Sequence, residues 1–509
     1  MPKHEIQIKP AGYTALIEKY LLAVIPNWHQ SFVARSSTHQ RNVADGIIEE
    51  IYPNRYAPDD SVGGQLEFAL KYDGTNLAIL SLVFQAVSST ELKNYILSKP
   101  KGKYVRRLWY FYEMLTGEKL ALPDLQNGGY IDVLEPNEYY TLTEGTPVKR
   151  QRVNDNLPGD RRFCPLVRRT EKLQTFDDSD LSKRCRKIIT AYSPQLLKRA
   201  MSYLYTKETK SSFEIEHVQP SSTRIERFVS LLQSAGTENY CTKKLLLELQ
   251  NRIVDQRFQD SDYRTVQNYI GESISWQRER VHYIPPRPEI LPELMDGLTE
   301  LHNRMGNGKV NAVVHASAVS FGFVFLHPFE DGNGRIHRFL LHHILLRRGF
   351  TPSEVVFPIS ASMLKHKDDY STVLESFSKP LMLLLDYKID KDGRLTLLNY
   401  DPMQMDCWYR YMDLTLPTEA LFEFIKQTID TEITEELNFI ADYDKAKQLM
   451  QDIVDMPDKK IDLFVHSCLQ NKGRLSARKR TAHFEFLTDD EVSLLEESVC
   501  LAFDITVGD

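Results

Sequence analysis

The sequence predicts a mainly α protein, and three observations carry the prediction. From about Leu66 onward, apolar residues recur at i, i+3 and i+4 spacing through most of the chain. Runs that lean towards β structure are short, the clearest being YRTVQNYIG and ERVHYIPP on either side of ESISWQR. The longest apolar stretch, VNAVVHASAVSFGFVFL at 310–326, is slightly short for a membrane span and carries Asn311, His315, Ser317 and Ser320, so it reads as a buried core helix.

The elements follow in chain order. Residues 1 to about 60 give weak periodicity. LEFALKYDGTNLAILSLVFQAV is helical, with Asp73-Gly74 marking a turn inside it. KYVRRLWYFYEMLTGEKL continues the helical pattern, its aromatics at core spacing. NGGYIDVLEPNEYYTL suggests a strand and turns, and the basic, Pro/Gly-punctuated VKRQRVNDNLPGDRRFCPLVRRT reads as a linker or surface arm. Helices return at about Asp180. SPQLLKRAMSYLYTKETKSSFEIEHVQP must stop by Pro220. Thr223 and Glu226 read as a capping box for the next helix, and CTKKLLLELQNRIV as another. After the hairpin-like stretch, LPELMDGLTELHNRM places Leu291, Leu294, Met295, Leu298, Leu301 and Met305 on one helix face. The region beyond about 385 is again helical and amphipathic.

At 509 residues the chain exceeds one ordinary core. The expected division is a mostly helical N-terminal domain at 1–150, a basic linker at 151–195, a central domain at 196–385 and a helical C-terminal domain at 386–509. Hydrophobic residues at 42% and charged residues at 26% describe a globular chain rather than a disordered one. A net charge of −7 gives no global field for nucleic acid or an anionic membrane, so no membrane partner is expected. The six cysteines form no CxxC pair, so spacing suggests neither a zinc site nor a redox couple. Scattered thiols fit a reducing compartment. MPKHEIQIKPAGYTALIEKY has no apolar h-region and no small-residue cleavage site, so no secretory signal is expected and the expected location is the cytoplasm.

The chemistry concentrates in HPFEDGNGRIHR, His327 to Arg338. Pro328 discourages continuation of the preceding helix. Gly332 and Gly334 admit conformations and close approaches that larger residues block. The apolar spacing Ile336, Phe339, Leu340, Ile344 then starts a new helix, so a Gly-rich loop feeds a helix N-terminus, where free N–H groups and the dipole attract an anion. Arg335 and Arg338 share a face in the first turn and add charge-assisted contacts to phosphate oxygens. Asp331 supplies a hard carboxylate suited to Mg²⁺ shared with phosphates. His327 can take a proton near neutral pH. Together these residues describe phosphoryl or nucleotidyl transfer, without a Walker A loop.

This segment resembles the Fic family signature, H-x-F-x-[DE]-G-N-G-R-x-x-R, with every specified position met. The resemblance extends from about 200 to 380. It implies an all-helical Fic core with a β-hairpin flap, the 263–284 stretch, flanked by helical N- and C-terminal domains. It also implies a protein adenylyltransferase that moves AMP from ATP to a Ser, Thr or Tyr hydroxyl. His327 would be the general base, Phe329 a loop anchor and Asp331 the Mg²⁺ ligand. Gly332, Asn333 and Gly334 would form the anion hole, Arg335 and Arg338 would contact the β/γ end of ATP, and the flap would hold the target by strand addition. Tyr370 resembles the region lining the family's adenine pocket, with a plain core tyrosine as the other reading.

Ser212-Phe-Glu-Ile-Glu216 resembles the family's inhibitory motif, [ST]-x-x-x-E-[GN], with His217 departing at the last position. The resemblance implies that Glu216 pairs with Arg338 and competes with the γ-phosphate. Ser222 to Glu226 has the same spacing, but the capping box accounts for Glu226. The implied partners are a protein with an exposed hydroxyl, this chain itself included; a homodimer is compatible with the sequence. Three alternatives stay open: de-adenylylation by Glu216, another Fic-type phosphotransfer, and an added nucleic-acid contact through the basic run Arg474 to Arg480. His337, His342 and His343 lack HExxH spacing and read as helix-surface or core histidines.

Overall fold

The computed structural model of the protein describes residues 8–505, apart from 36, 45, 276, 277, 353 and 354. It is mainly α, with a few small sheets. The first 60 residues depart from the helical expectation. Strands β1 (Ile8–Ala11), β2 (His29–Ala34), β3 (Gln40–Ala44) and β4 (Ile47–Pro53) form one sheet in the order β1-β2-β4-β3, with β2 and β4 parallel and the other pairs antiparallel. β3 is exposed along its whole length and β1 at both leading residues. Strands so open to water need no apolar alternation, which is why the pattern was weak. The Asp73-Gly74 turn is present, Gly74 taking φ 83° between the helices Val62–Phe68 and Leu77–Ala86.

The segment expected as a surface linker is built into the core. β5 (Ile131–Asp132), β6 (Thr146–Val148) and β7 (Val153–Asp155) form a second small sheet, and Val153, Phe163 and Cys164 are fully buried. The Cys164 N–H donates to the Arg410 carbonyl at 2.8 Å and the Leu166 N–H to that of Met412 at 2.9 Å, tying the segment to the C-terminal third. Its arginines are paired, Arg150 with Glu113, Arg162 with Asp160 and Arg168 with Asp413. Irregularly spaced apolar residues between paired cations give a solvated-looking sequence for a packed segment. Helices Glu171–Ser179 and Leu181–Ile189 complete it.

At the centre lies the apolar helix Ala312–Leu326, buried from Val313 to its end. It packs on Leu291–Asn307, on Asn333–Arg347 and on Thr415–Gln427. Leu291–Asn307 buries all six of the residues assigned to its apolar face. The long helix Pro194–Glu214 starts with Pro194 in its first turn under a Ser193 cap. The cap of the following helix, Ser222–Gln233, is Ser221, which accepts from the Arg224 N–H, two residues before the Thr223 expected from the capping-box spacing. The antiparallel hairpin of β8 (Ile270–Ser275) and β9 (Arg278–Tyr283) stands where the flap was expected.

Beyond Asp386 the helical pattern is preceded by a two-stranded ribbon of β10 (Asp386–Ile389) and β11 (Leu395–Leu398). One hydrophobic core runs from Tyr13 to Ile440, and a smaller one, with Phe464, Phe484 and Leu495, holds the C-terminal helices. The basic run Arg474 to Arg480 leads into the short helix Ala477–His483, whose Arg480 pairs with Asp489 at 2.7 Å. No helix among the described residues is long and apolar enough to cross a membrane.

Candidate active site

The loop between the two central helices begins at His327, the left-handed C-cap of Ala312–Leu326, at φ 49° and ψ 58°. Its N–H closes the helix on the Phe323 carbonyl at 2.9 Å. Nδ1 lies 3.2 Å from the Val324 carbonyl oxygen, which assigns the ring proton to Nδ1 and leaves the Nε2 lone pair free. Burial is the main force on this imidazole and lowers its pKa to about 4, against the opposing pull of the Val324 carbonyl and of Asp331. The histidine is therefore a neutral proton acceptor at physiological pH.

Phe329 is fully buried and anchors the loop. Asn333 braces it: its Oδ1 accepts from the Phe329 N–H at 3.0 Å and its Nδ2 donates to the Phe329 carbonyl at 2.7 Å. The Asn333 side chain thus faces the loop's own backbone, and what it offers an anion is its N–H. Gly332 takes φ 93° as the N-cap of Asn333–Arg347, with no side-chain cap on that helix. First-turn N–H groups have no partner within the helix, so this end is open to an anion. The Gly332 N–H donates to Asp331 Oδ1 at 2.6 Å.

The two arginines are almost completely buried and converge on one carboxylate. Glu216 Oε1 accepts from Arg338 Nη2 at 2.6 Å, and its Oε2 accepts from Arg335 Nε at 2.8 Å. Arg338 also donates from Nε to Ser212 Oγ at 2.8 Å and from Nη2 to the Ser212 carbonyl at 2.6 Å. Burial opposes the Arg338 charge, but Glu216 outweighs it and the pKa is raised. Arg335 Nη2 reaches Asp331 Oδ1 at 2.6 Å. The expected Glu216–Arg338 pair is present, and the carboxylate also bridges to Arg335. It lies so close over the loop that a Cβ added at Gly334 would stand 2.4 Å from Glu216 Oε1.

His217 resolves the departure from the inhibitory motif. It adopts φ 57° just beyond the end of Pro194–Glu214. Glycine and asparagine suit that left-handed position best, and histidine takes it at a steric cost. The Val218 N–H closes the turn on the Phe213 carbonyl at 3.1 Å.

Two residues outside the signature complete the site. Buried Arg264, in the run leading to β8, donates from Nε to the His327 carbonyl at 2.9 Å and from Nη1 to that of Val266 at 3.1 Å; its Nη2 reaches the Pro286 carbonyl. Its backbone N–H donates to the Pro328 carbonyl at 2.9 Å. One guanidinium thus ties both roots of the hairpin to His327. Gln250, fully buried, donates to the Asp331 carbonyl at 3.3 Å, the Phe258 carbonyl at 2.9 Å and Asp260 Oδ2 at 3.1 Å. A charge inside the β-leaning run YRTVQNYIG was the available signal for Arg264; Gln250 had none.

Asp331 keeps 44% of its side chain exposed. A hard carboxylate half open to water beside an uncapped helix N-terminus fits Mg²⁺ shared with phosphate oxygens. Tyr370 is buried beside Arg338, with its ring 6.4 Å from that of His337. His337, His342 and His343 are all core residues; His342 Nε2 lies 2.8 Å from Glu208 Oε1 and His337 Nδ1 2.8 Å from the Ser320 carbonyl.

The model of the Fic/DOC family matches residues 240–345, the span from the helix Lys243–Ile253 through the hairpin and most of the motif helix. This stretch matches a Fic/DOC domain. The chain is similar to the protein adenylyltransferase Fic of Drosophila mojavensis, 31% identical over 121 residues that cover 23% of this chain and 22% of the relative. The protein of the same name from Culex quinquefasciatus is 30% identical over 116 residues, covering 22% and 21%. The match thus spans about a fifth of the curated relatives. Among solved structures, a Fic family protein from Desulfovibrio desulfuricans aligns over 68% of this chain and 87% of its own at 14% identity and a TM-score of 0.37. A Fic domain containing signaling protein from Bacteroides thetaiotaomicron aligns over 50% and 96% at 17% identity and 0.35.

Proposed function

We propose that the chain is a protein adenylyltransferase held in check by Glu216. The observation that carries this reading is the bridge from Glu216 to both Arg335 and Arg338 over an open helix N-terminus. Two buried guanidiniums and free N–H groups make an oligophosphate site, and the carboxylate holds the arginines in its place. With the carboxylate withdrawn, the arginines and the loop N–H groups hold the phosphates of ATP. His327 Nε2 takes the proton of the target hydroxyl, whose oxygen attacks the α-phosphorus. The bond from that phosphorus to its leaving oxygen breaks, and pyrophosphate departs. Mg²⁺ at Asp331 would supply charge neutralisation between phosphate oxygens. Pairing of the exposed hairpin with an extended target segment would present the hydroxyl. The six cysteines, all unpaired and buried, support a reducing, cytoplasmic setting.

The test is incubation with α-labelled ATP and Mg²⁺, with and without a cell lysate as target source. Wild type, Glu216→Gly and Glu216→Gly with His327→Ala are compared. Strong labelling of protein in the single variant, weak in wild type and none in the double variant is expected. Equal labelling of wild type and Glu216→Gly removes the brake; no nucleotide binding in either removes the enzyme.

A further inference from the structure

Behind the motif helix, three residues far apart in sequence meet in the core. Cys241 precedes the helix Lys243–Ile253, His302 lies on Leu291–Asn307 and His343 on Asn333–Arg347. One ligand atom from each lies within 4.8 Å of the others. Cys241 and His343 are buried, and His302 is partly buried. His343 donates from Nδ1 to the Ala235 carbonyl at 2.7 Å, while its Nε2 is buried with no hydrogen-bond partner. A fully buried imidazole lone pair with nothing to accept from is costly unless something electrophilic meets it.

We propose that Cys241, His302 and His343 bind one borderline-soft divalent ion, Zn²⁺ by its chemistry, at a site separate from the Mg²⁺ position. One thiolate and two imidazoles form a ligand set zinc favours over the hard cations, with a fourth position left for water. Tetrahedral Zn–N and Zn–S bonds place ligand atoms about 3.5 Å apart. The remaining closure is about an ångström.

The surroundings orient His343 as a ligand and require one tautomer change at His302. The Ala235 carbonyl holds His343 in the tautomer with Nε2 free, the arrangement by which a second partner orients a metal-bound histidine. His302 is held through Nδ1, 3.1 Å from His315 Nε2, and Arg348 Nη1 donates to His315 Nδ1 at 3.0 Å. On metal binding, the His302 proton resides on Nδ1 and donates to His315 Nε2. The His315 proton then moves to its Nδ1, where it would face the Arg348 Nη1 donor, so the Arg348–His315 hydrogen bond breaks while Arg348 retains the Met305 and Val310 carbonyls as acceptors. The Cys241 thiol proton leaves to solvent as the thiolate binds. Thr299 Oγ1 donates to the Cys241 carbonyl at 3.0 Å and fixes the loop against the His302 helix. The ion would join the loop before Lys243–Ile253 and the helix Leu291–Asn307 to the helix that carries the arginines, eight residues or about 12 Å from Arg335 to His343.

The test uses the full chain, stripped with chelator and reloaded. Elemental analysis after Zn²⁺ loading and desalting is expected to give one zinc per chain. Asp331→Ala should leave that value unchanged, while Cys241→Ser and His343→Gln should abolish it. Co²⁺ loading of wild type should give thiolate-to-cobalt charge-transfer absorption together with d–d bands of tetrahedral intensity. This readout does not depend on the variants folding. Wild type that retains no zinc and shows no thiolate–cobalt band overturns the proposal, as does zinc lost with Asp331→Ala but kept with Cys241→Ser. Neither result bears on the transferase reading, which does not use this site.

Discussion

Glu216 Oε1 stands 2.6 Å from Arg338 Nη2 across 122 residues of chain, and the same carboxylate reaches Arg335. A charge-assisted pair of this kind contributes on the order of 1.5–3 kcal/mol. Glu216→Gly is therefore expected to raise the initial rate of label transfer from ATP about ten- to a hundredfold. Initial-rate labelling at fixed ATP checks it; a change under twofold would show that the pair does not limit transfer.

His217 bears on the same latch from the backbone side. Its φ of 57° carries a penalty of about 1–2 kcal/mol that glycine escapes. His217→Gly should favour the latched form and lower basal transfer by roughly fivefold or more. The Glu216→Gly background should be insensitive to it. Higher basal transfer in His217→Gly would contradict a strained latch.

Arg264 is expected to act on the base rather than on nucleotide. Arg264→Met leaves the His327, Val266 and Pro286 carbonyls without their donor, at a cost of about 1–3 kcal/mol for each buried group. In the Glu216→Gly background, kcat should fall at least tenfold while ATP affinity, read by titration calorimetry, changes less than threefold. Equal losses in both would indicate general collapse of the loop.

The pH response follows from His327. Its folded pKa of about 4 lies below the ordinary 6.5, so the folded protein keeps the ring neutral where the unfolded chain protonates it. The stability this contributes is present above 6.5 and is lost as pH falls from 6.5 towards 4. His302, His337 and His343 are lowered by burial in the same direction. The thermal midpoint should drop through that window. The kcat/KM profile of Glu216→Gly should stay flat from pH 8 to about 5; an inflection near 6.5 would mean that the base is solvated.

The Gly-rich motif was readable because its chemistry is local. His327, Asp331, the glycines and both arginines fall within one helix end and one loop, so residue type and spacing already imply their geometry. The same holds for Leu291–Asn307, whose apolar face appears in the structure residue for residue. The N-terminal sheet and the 151–168 segment were not readable. Solvated strands and irregularly spaced core residues leave no period, and the burial of Phe163 depends on Gly297 and Gly322, more than a hundred residues further along the chain.

By itself, then, the sequence determined the Gly-rich loop feeding a helix N-terminus, the place of His327 at its mouth and Glu216 as the partner of Arg338. The tertiary structure alone decided that Glu216 spans both guanidiniums over Gly334, that Arg264 ties the hairpin to His327, and that Cys241, His302 and His343 converge. The reason is physical. Backbone propensity and side-chain period act over a turn or two of chain, whereas these contacts exist only because the packing of the buried helix Ala312–Leu326 sets where its neighbours cross.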